Sequence, residues 1–165
     1  LWKGDGFSID MRVCFNDLAP HQVLLDSRNA EGRGLLLTTT DRQTVKLTII
    51  GRTCALPGSR WSGGLTECAW ECDCGLLDVG KTHHLTFITD GGPKIITVLV
   101  DGMLCDGGTE RQYGWGRFHA DLKEANGAAE AQLAPALHGT LEVLRLYDRY
   151  LRTSEAVANW RSYKG

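Results

Sequence analysis

Between Asp106 and Phe118 the chain gathers aromatic rings, planar donors and carboxylates in one glycine-rich stretch. Tyr113, Trp115 and Phe118 are the rings. Arg111, Gln112 and Arg117 are the planar donors, and Asp106 and Glu110 the acceptors. This mixture suits a saccharide: a flat ring stacks on the apolar face of a pyranose or furanose while forked polar groups pair with adjacent hydroxyls. Gly114 and Gly116 flank Trp115, which leaves its ring uncrowded. The competing reading is that Tyr113, Trp115 and Phe118 plug the end of a core. Arg28, with Asp26 and Asn29, forms a polar turn that joins the ligand-binding set if it lies at the same sheet end, and otherwise serves as an ordinary hairpin turn. Trp61 is a further exposed-ring candidate, whereas Trp70 and Trp160 read as packing residues, as does Trp2 for the first strand.

Other constellations are thinner. Glu71 and Asp73 alternate as paired carboxylates of a retaining glycosidase would, but such a pair must stand about 5–5.5 Å apart with split pKa values. Their neighbours are cysteines and a tryptophan, so a solvated strand face is the plainer account. His83-His84 reads as strand packing rather than a metal site. No nucleophile elbow, phosphate-binding loop or dinucleotide fingerprint occurs. The six cysteines are more telling. Cys54 and Cys68 bracket a polar, glycine-rich segment as a disulfide would, and closing that loop contributes roughly 3 kcal/mol in the chain-entropy model. Cys72, Cys74 and Cys105 offer a second bridge, and Cys14 can pair with any remaining thiol. As a zinc cluster, Cys68, Cys72 and Cys74 lack a matching second pair. Disulfides imply an oxidising compartment, hence an extracellular, secreted or cell-surface location.

The elements that must position these groups are strands. Phe7, Ile9, Met11, Val13 and Phe15 alternate with Ser8, Asp10, Arg12 and Cys14, which puts five apolar side chains on one face. Val23 to Asp26 and Gly34 to Thr40 read as a short hairpin. Val45, Leu47 and Ile49 alternate again, and a strand follows near Ala69 to Cys74. His83 to Thr89 and Lys94 to Val100 are β-branched runs joined by Asp90-Gly91-Gly92-Pro93 and closed by Asp101-Gly102, a hairpin with glycine supplying positive φ. Residues 106 to 135 lack periodicity, which in a compact domain marks a functional segment. A last strand runs from about Leu137 to Tyr147, and Thr153 caps a short helix with Glu155 in its first turn. The fold class is therefore all-β: an antiparallel β-sandwich of jelly-roll connectivity with one short C-terminal helix.

With 165 residues, a net charge of −2 and a pI near 6.2, the chain is one domain with no electrostatic pull toward nucleic acid or an anionic membrane. No apolar run approaches the ~20 residues of a transmembrane helix. The chain enters its first strand almost at once after Leu1-Trp2-Lys3, which reads as a module excised from a larger multimodular protein.

The hairpin His83 to Gly102 resembles the central hairpin of laminin-G-like domains in the concanavalin A-like lectin/glucanase superfamily, and Gly139 to Glu155 is similar to their closing strand and helix. The resemblance implies a jelly roll across residues 1–165. It also implies a non-catalytic carbohydrate-binding module that delivers an attached glycan-active enzyme to an oligo- or polysaccharide. Its alternatives are a protein-interaction or adhesion module, a structural sandwich, and a glycoside hydrolase. Against the hydrolase, glucanases of the superfamily carry Glu-x-Asp-x-x-Glu, and Leu76 stands where the third acid belongs. Many relatives bind a structural Ca²⁺, toward which Asp10, Asp90 and Asp148 are single contributors. No Asp-rich calcium loop is present.

Overall fold

The computed structural model describes residues 5–53, 64–120 and 122–163. Two antiparallel sheets face each other. In the first, β12 (Gly139–Tyr147), β1 (Gly6–Phe15), β6 (Thr82–Asp90), β7 (Ile95–Val100) and β8 (Met103–Leu104) lie side by side in that order. β9 (Trp115–Arg117) also pairs with β7. In the second, β10 (Leu122–Glu124), β4 (Val45–Thr53), β3 (Gly34–Thr39), β2 (Val23–Asp26) and β11 (Gln132–Leu133) run in order, with β5 (Leu65–Glu71) paired to β4.

Alternation decides which side of each strand is buried. Phe7, Ile9, Met11, Val13 and Phe15 of β1 are wholly buried, and so are Leu85 and Phe87 of β6 and Leu47 and Ile49 of β4. They meet in one core between the sheets. The opposite side of the first sheet is covered as well. Helix α1 (Thr153–Ser162) lies across it, and Leu151 and Ala156 pack on Ile88 and Leu99 in a second, smaller core. The helix begins one residue earlier than its sequence suggests: Arg152 is the cap, and its N–H donates to the Glu155 carboxylate at 2.8 Å.

The central hairpin forms where expected, but its first turn takes positive φ at Lys94 (62°) rather than at a glycine. At the second turn Asp101 (φ 50°) and Gly102 (φ 76°) are both left-handed. His83 fixes this turn. The Asp78 N–H donates to its Nε2 at 2.8 Å, so the proton sits on Nδ1, which donates to Asp101 at 2.8 Å. The 106–135 segment also proves more ordered than its composition suggests, contributing β9, β10 and β11.

The second bridge expected among Cys72, Cys74 and Cys105 is not formed, and Cys68 and Cys14 are free thiols as well; Cys54, the expected partner of Cys68, lies outside the described residues. The sulfurs have other partners. Cys72 Sγ accepts the Val45 N–H, Cys68 Sγ accepts the His119 N–H, and exposed Cys74 faces Arg42. Burial pushes the Cys72 thiol up to about 12 and the Cys105 thiol to about 11, which keeps both protonated and unreactive.

Candidate functional site

The strand pairing of β9 sorts the candidate residues. Gly116 is paired with buried Ile96 and faces the core, where a Cβ would meet the Trp70 ring at 2.4 Å. Trp115 and Arg117, one residue to either side, therefore point to the outer face of the first sheet beside Thr97 and Ile95. Tyr113 stacks on Trp115 with centroids 5.1 Å apart and planes 28° from parallel. Tyr113 is 51% exposed, so the pair forms a solvent-facing aromatic ledge. Arg117 is exposed and makes no ion pair among the described residues; Gln112 is exposed too. Phe118 is buried at 4% exposure and belongs to the core, as the plugging interpretation holds for that ring alone.

Beside the ledge lies a cavity of about 290 Å³. Ile88, Ile95 and Thr97 form its floor, and Asp90, Tyr150 and Arg152 stand at its margin. The floor is apolar and the margin polar, the division that an amphipathic sugar ring requires. Thr97 on one side and Tyr150 and Arg152 on the other escape a reading by sequence because they come from two distant segments. Only the pairing of β7 with β9 and the passage of the chain into α1 bring them together.

The remaining candidates go elsewhere. Arg111 turns to the end of the sandwich. There it ion-pairs with Asp73, donates to the Glu71 carbonyl at 3.1 Å and stacks over Trp70 at 4.4 Å. Asp73 also accepts the Asp106 and Gly107 N–H groups at 2.9 and 3.1 Å. Asp106 in turn accepts the Gly108 N–H at 2.9 Å. Glu110 pairs with Arg42. These groups tie the loop down. Arg28 sits on the second sheet, bonded to both carboxylate oxygens of Asp26 at 2.9 and 2.6 Å, and holds that carboxyl below its ordinary range. Asn29 Oδ1 accepts the Glu31 and Arg33 N–H groups, so Asp26, Arg28 and Asn29 form a structural turn away from Trp115. Trp61 and Trp2 lie outside the described residues.

Glu71 is engaged by Arg42, Thr40 and Thr44, and Asp73 by Arg111, so the two carboxylates serve different partners. Asp10 and Asp90 occupy the same face but stand apart, since Asp10 pairs with Thr86, four residues before Asp90 on β6. Among the described residues no three His, Cys, Asp or Glu side chains gather to hold a metal ion. Asp10 is fully buried with His84, Asn159 and Arg145 around it, an environment that does not fit a calcium ligand. No helix of the described residues is long and apolar enough to cross a membrane.

No family model and no curated protein matches the sequence. Solved structures do match in shape. The carbohydrate-binding module CBM40 of the Ruminococcus gnavus IT-sialidase, bound to α2,3-sialyllactose, superposes with a TM-score of 0.59 at 12% identity, over 94% of this chain and 82% of that one. A Bacteroides ovatus protein provisionally assigned to carbohydrate binding gives 0.59 at 8% identity, over 91% of this chain and 39% of that one. The receptor-binding domain of botulinum neurotoxin type G gives 0.56 at 12% identity, over 96% of this chain and 38% of that one. At such identities the likeness is one of fold: this chain is a β-sandwich jelly roll of the kind found in carbohydrate-binding modules and toxin receptor-binding domains.

Proposed function

We propose that this chain is a non-catalytic, laminin-G-like carbohydrate-binding module, extracellular, and carried as a single domain by a larger glycan-active protein. The observation that carries this reading is the Tyr113–Trp115 stack, more than half exposed at Tyr113, beside a cleft with an apolar floor and polar margin. A sugar ring stacks on the aromatic ledge, while Arg117, Gln112 and the cleft residues Tyr150 and Arg152 supply hydrogen bonds to its hydroxyls. Arg111, Asp106 and Glu110 act behind them as positioning residues. The commitment of Glu71 and Asp73 to structural partners supports binding without turnover. A module of this kind raises the local concentration of an attached enzyme at its polymer.

The test is a glycan array followed by titration calorimetry on the best oligosaccharide, with and without chelator, using the wild type and Trp115→Ala. The expected result is at least a tenfold loss of affinity in the variant, corresponding to about 1.4 kcal/mol, with an unchanged melting temperature and no effect of chelator. Equal affinity in the two proteins removes the ledge from the site. Absence of binding to every glycan favours a protein-interaction module instead.

A further inference from the structure

A second cavity opens on the same outer face, at the opposite end of α1. Its volume is about 380 Å³, within the range of small-molecule pockets. Arg12, Lys81, His84, Asp101, Trp160 and Tyr163 line it. Besides His84 Nε2, which lies against the Asp10 carboxylate, two buried polar atoms in this lining have no hydrogen-bond partner: His84 Nδ1 and Tyr163 Oη. His84 is only 4% exposed. Leaving a buried polar atom without a partner is unfavourable, so two in one cavity call for an explanation.

The surroundings orient these atoms. The opposite His84 nitrogen, Nε2, lies 3.1 Å from Asp10, a carboxylate with no exposure at all. That contact turns Nδ1 away from Asp10. The Arg12 guanidinium stacks over the Tyr163 ring at 4.7 Å and ion-pairs with Glu142 at 3.1 Å, while Arg145 stacks on the same ring at 5.1 Å. Arg12 is therefore held in place before any ligand arrives.

The balance of donors and acceptors identifies the ligand. The lining carboxylate, Asp101, is already used: one oxygen accepts His83 Nδ1–H and the other the His84 N–H, both at 2.8 Å. Arg12 has five N–H donors and Lys81 three. Their carboxylate contacts are Glu142 for Arg12 and Asp78, at 3.4 Å, for Lys81. The cavity thus has spare donors and no spare carboxylate, beside the apolar surfaces of Trp160 and Met103. We infer that this cavity is a second saccharide subsite, selective for a sugar unit bearing a carboxylate or sulfate. The anionic group docks against Arg12 and Lys81, a sugar hydroxyl donates to His84 Nδ1, whose ring keeps its proton on Nε2 toward Asp10, and the apolar ring face lies toward Trp160. This inference shares the glycan-binding reading but not the Trp115 ledge.

The experiment uses the full chain and three probes: a tetragalacturonate, a chondroitin sulfate tetrasaccharide and neutral cellotetraose. Binding is read by calorimetry and by the ring-nitrogen resonances of His84. The acidic probes are expected to shift the His84 Nδ1 resonance and the neutral one to leave it in place; whichever acidic probe binds more tightly identifies the anionic group. Lys81→Ala removes an exposed side chain and is expected to weaken the acidic probe at least tenfold without changing the melting temperature. Arg12→Gln is expected to weaken it more. Trp115→Ala is expected to retain this binding, which separates the subsite from the ledge. Unchanged affinity in Lys81→Ala, or a His84 resonance indifferent to both acidic probes, overturns the inference while leaving the ledge untouched.

Discussion

Arg111 and Arg117 stand six positions apart in one loop, yet the structure gives them opposite tasks. Arg111 is 16% exposed, paired to Asp73 and laid over Trp70. Removing it strands a carboxylate that also anchors two loop amides. Arg111→Ala is expected to lower stability in urea by on the order of 2–3 kcal/mol, whereas Arg117→Ala should change it by less than about 0.5 kcal/mol and weaken glycan binding instead. Equal effects of the two substitutions on unfolding would show that this division is wrong. Composition alone marked both arginines as ligand donors. Their side-chain types are identical, and only the pairing of β9 with β7 and the position of Asp73 at the sandwich end distinguish them. For the same reason Arg28 looked like a site residue: a salt bridge to a neighbour two positions away does not advertise itself in composition. The aromatic ledge was legible because glycines stand on both sides of Trp115 and the two-residue spacing of Tyr113 and Trp115 places both rings on one side.

Among the elements, the strands with clean alternation were readable end to end. β1 and the β6–β7 hairpin emerge where period-two patterning puts them, since a one-residue slip would turn five buried side chains outward. The short strands β9 to β11 carry two or three residues each, too few for a period to show. Trp160 read as a packing residue, but its seat under α1 was not legible, because that seat is a glycine distant in sequence. At Gly102 the backbone has φ +76° and a Cβ would meet Trp160 at 2.4 Å. Gly75 has nearly the same φ, +75°, but open space around it. Gly102→Ala is therefore expected to cost on the order of 2–4 kcal/mol and Gly75→Ala only about 1 kcal/mol of backbone strain. Thermal unfolding of both variants measures the difference, which is the packing of Trp160 on the turn. If the two substitutions cost the same, Trp160 does not hold the helix there.

At the scale of the whole molecule, the outer face of the first sheet is where a third layer is added to a two-layer sandwich, and α1 divides it into two clefts. The helix spans ten residues, about 15 Å at the ordinary rise, which sets the separation of the clefts at its two ends. Asp10 lies beneath this layer. Burial alone would raise its carboxyl, but the His84 ring and the Asn159 amide, 2.9 Å away, outweigh that effect together with Arg145 and hold it below its ordinary value. A carboxyl depressed in the folded state binds fewer protons there than in the unfolded chain. Its contribution is therefore complete above the ordinary aspartate pKa of about 3.9 and is lost as pH falls through the lower, folded value. Asp10→Asn keeps the Asn159 and His84 contacts in outline but cannot titrate. The variant should melt lower than wild type at pH 7, and the gap should narrow steadily as the pH is taken below about 4. Melting curves from pH 7 to pH 2.5 give the comparison. Because Asp17, Asp26 and Glu155 are depressed as well and remain in both proteins, both will lose stability in acid. A gap that stays constant across that range would mean that Asp10 is not the charge on which the helix layer rests.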